Sequence, residues 1–194
     1  MLGLVEIAHG VRGALAFLRR DPSAPMAFDD TMEGCLRSFR VMAVAAPFYA
    51  LYAALKYANV PVVLDATEVV LVEGLRYVVD WLLFPVIFYE VAGRRGWLGR
   101  YPRYISALNW VNLPAIMIAL VSTLVQTVAP LGLAVVLDLA VQVLFFYWFL
   151  MVTRLTLGID WLLSMALLAL SWVPSFFLSF IVARYLGVLA VTGA

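Results

Sequence analysis

VEGLRYVVDWLLFPVIFYEVAGRR, residues 72–95, is the stretch on which the architecture turns. It is mostly hydrocarbon, yet Glu73, Arg76 and Asp80 recur in it at steps of three and four, which puts them on one helical face. Residues 77–93 lie between Arg76 and Arg94. As a helix they cover about 26 Å, close to the roughly 30 Å hydrocarbon core of a bilayer. The two arginines therefore bracket a membrane, and each can extend its apolar stem to an interface. Glu73 then lies outside with Arg76, and Asp80 sits a turn inside. Glu90 stands four residues before Arg94, where an i,i+4 pair satisfies it at the inner boundary.

Composition agrees with a membrane setting. Of 194 residues, 65% are hydrophobic and only 13% charged, against about 25% charged in ordinary soluble domains. Mean hydropathy is +1.01. A net charge of +1 supplies no global field for nucleic acid. The single cysteine, Cys35, excludes an internal disulfide, and with one histidine, His9, no Cys/His metal set, bis-His haem site or Cys-His catalytic pair can be assembled. No cofactor or metal is expected, and no enzyme. The opening MLGLVEIAHG has no basic region of the kind that starts a cleavable signal, and Glu6 interrupts its apolar run.

The flanking sequence divides into further spans. VMAVAAPFYALYAALKYA supplies a first span at about 41–58, and the quoted stretch a second at 69–93, begun near Asp65 after the turn NVPVVLD. Spans three to five fall at about 104–129, 131–153 and 161–185, separated by Pro130–Gly132 and by a short loop from Arg154 to Asp160. Ahead of them, residues 2–20 carry Leu4, Val5, Ala8, Val11, Leu15 and Leu18 at three- and four-residue steps, and DPSAP ends the segment. This predicts an amphipathic helix lying at the interface, with residues 1–30 as helix and linker and 31–194 as the transmembrane domain. Asp30 followed by Glu33 predicts a capping box at the next helix start. The expected fold is thus all-α, a polytopic bundle of five transmembrane helices behind an interfacial helix. With the N-terminus cytoplasmic, ten of the 13 basic residues fall on one side, leaving Lys56, Arg76 and Arg184. The positive-inside rule then sets the N-terminus in and the C-terminus out.

Four polar or small-residue features stand out. Glu73, Arg76, Asp80, Asp138 and Arg184 all belong in the outer half, and are expected to form a paired cluster joining spans two, four and five. Such charges lock helix packing, serve a cation or proton, or never meet and simply snorkel outward. Ser106, Asn109 and Asn112 share a face of span three; they bond a neighbouring helix, most simply a carbonyl freed by a proline, or line a polar half-pore or headgroup pocket. The loop GRRGWLGRYPRY carries Arg94, Arg95, Trp97, Arg100 and Arg103, a cytoplasmic anchor that also fits anionic lipids. Ala46, Ala50 and Ala54 repeat every four residues and would let a helix approach closely.

The layout resembles the Yip-domain membrane proteins over residues 35–186. RYPRYISALNWVNLP, residues 100–114, is similar to that family's basic-aromatic approach to the third span, and FYWFLMVTRLTLGIDWLLS, residues 146–164, to its fourth-to-fifth turn. The resemblance implies five spans and membrane organisation, with no catalytic residues to carry over. The expected function is a non-enzymatic protein that organises the membrane or accompanies a membrane complex, with a membrane-protein partner or as a homo-oligomer. Its expected location is the bacterial inner membrane. The alternative is a small oligomeric transporter or channel that uses the outer acids.

Overall fold

A computed structural model describes residues 2–58 and 64–188. The described residues are 86% helix and include no strand. In order it forms α1 (Leu4–Leu18), α2 (Met32–Ser38), α3 (Arg40–Tyr57), α4 (Ala66–Arg95), α5 (Tyr101–Gln126), α6 (Leu131–Leu157) and α7 (Trp161–Tyr185), with single 3-10 turns at Ala24–Ala27 and Leu98–Arg100. Four helical stretches are long and apolar enough to cross a membrane: Met32–Tyr57 (α2 with α3), Leu98–Gln126, Leu131–Leu157 and Trp161–Tyr185. At 30 residues, α4 has the length but not the apolar composition, because of the charges quoted above.

Local chemistry sets the ends of these helices. Asp65 and Asp160 accept the backbone N–H of Glu68 and Leu163 at 2.9 and 2.8 Å, as N-caps do. At α2 the cap is Thr31 rather than Asp30: its Oγ1 accepts from Gly34 N at 3.1 Å, and Asp30 pairs instead with Arg103 at 2.8 Å. Gly96 and Gly158 end α4 and α6 at φ 71° and 64°, the left-handed conformation that a Cβ disfavours.

α5 is the central strut, packed against α1, α2, α3 and α6, while α7 packs on α4 and α6. The core is concentrated at one end. Phe88 of α4, Tyr104 and Ile105 of α5, Trp148 of α6 and Phe17 of α1 are fully buried. Trp148 Nε1 donates to the Ala14 carbonyl at 2.8 Å, so α1 is fastened to the bundle by a buried hydrogen bond as well as by area. Gly10 lets α1 come close, because a Cβ there would fall 2.2 Å from the Trp110 ring. The face that packs on the bundle is Gly10, Gly13, Ala14 and Phe17; of the predicted stripe, Leu4, Val5, Ala8 and Leu15 are exposed, while Val11 and Leu18 are half-buried against the core.

α3 shows a related offset. Its buried positions are Val41, Ala45 and Ala53, whereas Ala50 and Ala54 are exposed and Ala46 half-buried. The small-residue face that meets α5 is therefore one residue, about 100° of helix, away from the Ala46/Ala50/Ala54 face.

Candidate functional site

Three of the five outer charges converge. Arg76 lies 2.9 Å from Glu73 and 3.6 Å from Asp80; the Glu73 and Arg76 side chains are only 5% and 10% exposed. Their partners come from elsewhere. Tyr49 and Tyr57 of α3 donate to Glu73 at 2.5 and 2.6 Å. Arg76 donates to Tyr49 Oη at 2.6 Å and to Ser179 Oγ of α7 at 3.1 Å. The network thus ties α4 to α3 and α7, not to α6. Asp138 and Arg184 are exposed and take part in no ion pair among the described residues. Comparable depth set them at the right height, but helix rotation turns them away.

Below this network lies a chamber. One cavity of about 360 Å³ is walled by Tyr49, Tyr77, Asp80, Trp81, Phe84, Asn109, Asn112, Phe145, Phe149, Ser171 and Ser175. A second, of about 400 Å³, shares Asn112, Phe145, Phe149, Ser171 and Ser175 with it and adds Gln142 and Trp172. The two are adjoining parts of one partly open space enclosed by α3 to α7. Asp80 is the sole ionisable acid or base among the residues lining either part, Tyr hydroxyls aside. Its Oδ1 is buried and has no hydrogen-bond partner among the described residues.

The sequence reading missed the serines of α7. Ser171, Ser175 and Ser179 recur every four residues, so they share a face. With α4 and α7 in contact, Ser179 meets Arg76 and Ser175 joins Asp80 in the chamber wall. That four-residue spacing was the available signal.

The predicted polar face of α5 divides. Asn109 is buried and donates to Ser38 Oγ at 2.8 Å, a side-chain partner rather than a carbonyl freed by proline. Ser106 is buried with no hydrogen-bond partner for its Oγ among the described residues, beside a small cavity of about 170 Å³ lined also by Glu6, His9, Asp29 and Arg37. Asn112 opens into the chamber. Near the small cavity, the Asp29 carboxyl is held below the usual carboxylate range, chiefly by the Thr31 backbone N–H donating at 2.8 Å.

The basic loop also divides. Arg94 and Arg95 are exposed, Arg94 paired with Glu90 at 2.8 Å as expected. Trp97 stacks on Phe88 with ring centroids 6.5 Å apart. Arg100 donates to the Leu157 carbonyl at the end of α6, and Arg103 to the Phe28 carbonyl at 3.3 Å. Two of the four arginines are therefore committed to internal contacts. Among the described residues no group of three or more His, Cys, Asp or Glu gathers to hold a metal ion.

No family model, curated protein or solved structure matches the chain.

Proposed function

We propose that the chain crosses the membrane five times, N-terminus inside, and binds and moves a cation or a proton through the chamber at Asp80. The carrying observation is the charge balance there. Arg76 is held closest by Glu73, so the group of two carboxylates and one guanidinium leaves one negative charge, and Asp80 presents it at the chamber wall. An acid kept in such a place is a functional candidate by default. Treating α4 as a span is supported by its outer face: Leu71, Leu75, Val78, Leu82, Val86 and Tyr89 are exposed and follow helical spacing, so the helix offers lipid an apolar stripe and turns Glu73, Arg76 and Asp80 inward. The test is flux in proteoliposomes. Asp80→Asn should abolish cation or proton movement while Asp138→Asn leaves it intact; unchanged flux in Asp80→Asn refutes the reading.

A second reading is a non-enzymatic accessory or organising subunit, as the resemblance to Yip-domain proteins implies. It is favoured by the exposed Ala50 and Ala54 on α3, a small-residue surface suited to a second membrane helix, and by exposed Arg94 and Arg95, suited to anionic lipid. Gentle extraction followed by mass spectrometry tests it, a stoichiometric protein partner being the expected result.

A further inference from the structure

We infer that the chamber's ligand is a lipophilic organic monocation, such as a quaternary ammonium, a phosphonium or a protonated amine with a bulky apolar body, rather than a metal ion. The inference rests on the Asp80 reading above and narrows it.

Charge comes first. The wall offers one carboxylate and no second acid, so its complement is a single positive charge. Coordination comes second. A hard cation such as calcium takes about six to eight oxygen ligands, and an incompletely ligated ion in an apolar cavity loses far more hydration than one carboxylate returns. Here, beyond the 3.6 Å contact of Asp80 with Arg76 and the Tyr hydroxyls, the chamber wall offers only the neutral Asn109, Asn112, Ser171 and Ser175. A delocalised organic cation is weakly hydrated and needs no ligand cage.

The rest of the wall is what such a cation binds. Tyr77 stacks on Tyr49 with centroids 4.5 Å apart and meets Trp81 edge-on at 6.0 Å, and all three rings line the same cavity as Asp80. Aromatic faces attract cations electrostatically, most strongly when water is excluded. The protein already uses this surface in that way: the Arg76 guanidinium, a delocalised cation, lies 5.8 Å from the Tyr49 ring centroid. Size fits as well, because about 360 Å³ falls within the range of about 300–1,000 Å³ for sites that enclose drug-sized molecules. An entering cation needs to replace only the 3.6 Å contact between Arg76 and Asp80, since Arg76 keeps Glu73, Tyr49 and Ser179.

The test uses the full chain in nanodiscs of neutral lipid, with tetraphenylphosphonium as probe, tetraphenylborate as its anionic counterpart of the same shape, and empty nanodiscs as blank. Saturable binding of the cation, and not of the anion, is expected. Asp80→Asn should weaken it by about tenfold or more, the equivalent of one charged contact. Ala115→Trp, which fills the chamber from α5 without touching the charge, should weaken it too, and Asp138→Asn should not; circular dichroism and size-exclusion elution establish that each variant is folded. Binding of the phosphonium no stronger than to empty discs, or equal binding of the borate, overturns the inference. If sodium, potassium or proton uptake still depends on Asp80, the broader reading survives that failure. If no cation's binding depends on Asp80, both fail.

Discussion

Glu73→Gln tests what holds α4 in the bundle. The carboxylate accepts from Tyr49, Tyr57 and Arg76 at 2.5, 2.6 and 2.9 Å, and the Arg76 side chain is 10% exposed. The amide keeps the shape and can still accept, but it no longer neutralises the guanidinium. Removing one member of a buried ion pair costs about 3–5 kcal/mol. Asp80, 3.6 Å from Arg76, offsets part of that, while the tyrosine hydrogen bonds lose their charged acceptor, each bond to a charged group being worth about 1.5–3 kcal/mol. The expected loss is therefore about 3 kcal/mol. The assay is equilibrium unfolding in mixed micelles, followed by tryptophan fluorescence. A second variant, Glu73→Gln with Arg76→Met, removes the stranded charge and should be less destabilised than the sum of the two single changes by about 2 kcal/mol, within the range for directly coupled residues. A Glu73→Gln protein within about 0.5 kcal/mol of the parent, the ordinary effect of a surface substitution, or strict additivity in the cycle, refutes the buried network as the lock on α4.

Other consequences are open to direct measurement. Trp148→Phe removes the donor to the Ala14 carbonyl, which keeps its place in the α1 ladder, and should cost about 0.5–1.5 kcal/mol for the lost hydrogen bond, seen as faster tryptic cleavage at Arg19 and Arg20 while the membrane helices stay protected. Gly10→Ala forces a Cβ against the Trp110 ring and should destabilise by about 1–3 kcal/mol in the same unfolding assay. In a Cys35→Ser background, Ala66→Cys should react with a membrane-impermeant maleimide in intact cells and Gly99→Cys, at the other end of α4, only after the membrane is opened; labelling of both from one side would show that α4 does not cross.

Much of the helix framework was legible because hydrophobic length and punctuation are local signals. The spans expected at 131–153 and 161–185 correspond to α6 and α7 at Leu131–Leu157 and Trp161–Tyr185, and the start near Asp65 is the observed N-cap. What failed was azimuth. Sequence spacing says which residues share a face, not which face meets which neighbour. So the bundle-facing sides of α1 and α3 were not singled out, and Asp138 and Arg184 were brought to a cluster they do not join. The true partners of Glu73 and Arg76 are hydroxyls, on Tyr49, Tyr57 and Ser179. Tyrosine and serine carry little weight in a search for charge complements, although in low dielectric a neutral donor to a carboxylate is a strong contact.

The chamber lies between two fastenings of different chemistry, and that arrangement explains how so apolar a chain retains its charges. At the basic end the aromatic core of Phe88, Tyr104 and Trp148 closes the bundle by area. At the other end, α3, α4 and α7 are joined by the Glu73–Arg76 hydrogen bonds, while much of α6 beyond the core, from Leu131 through Val143, turns apolar side chains outward. Between the two, helices held apart by aromatic side chains cannot close completely, and small serines on α7 leave room that bulkier residues would fill. Asp80 stands at that gap, one turn below the lock. On the five-span reading its charge is never presented to lipid, because the arginine above it and the serine beside it are reached from the same face of α4. Composition alone disqualifies α4 as a span; the inward direction of Glu73, Arg76 and Asp80 is what supports the five-span reading.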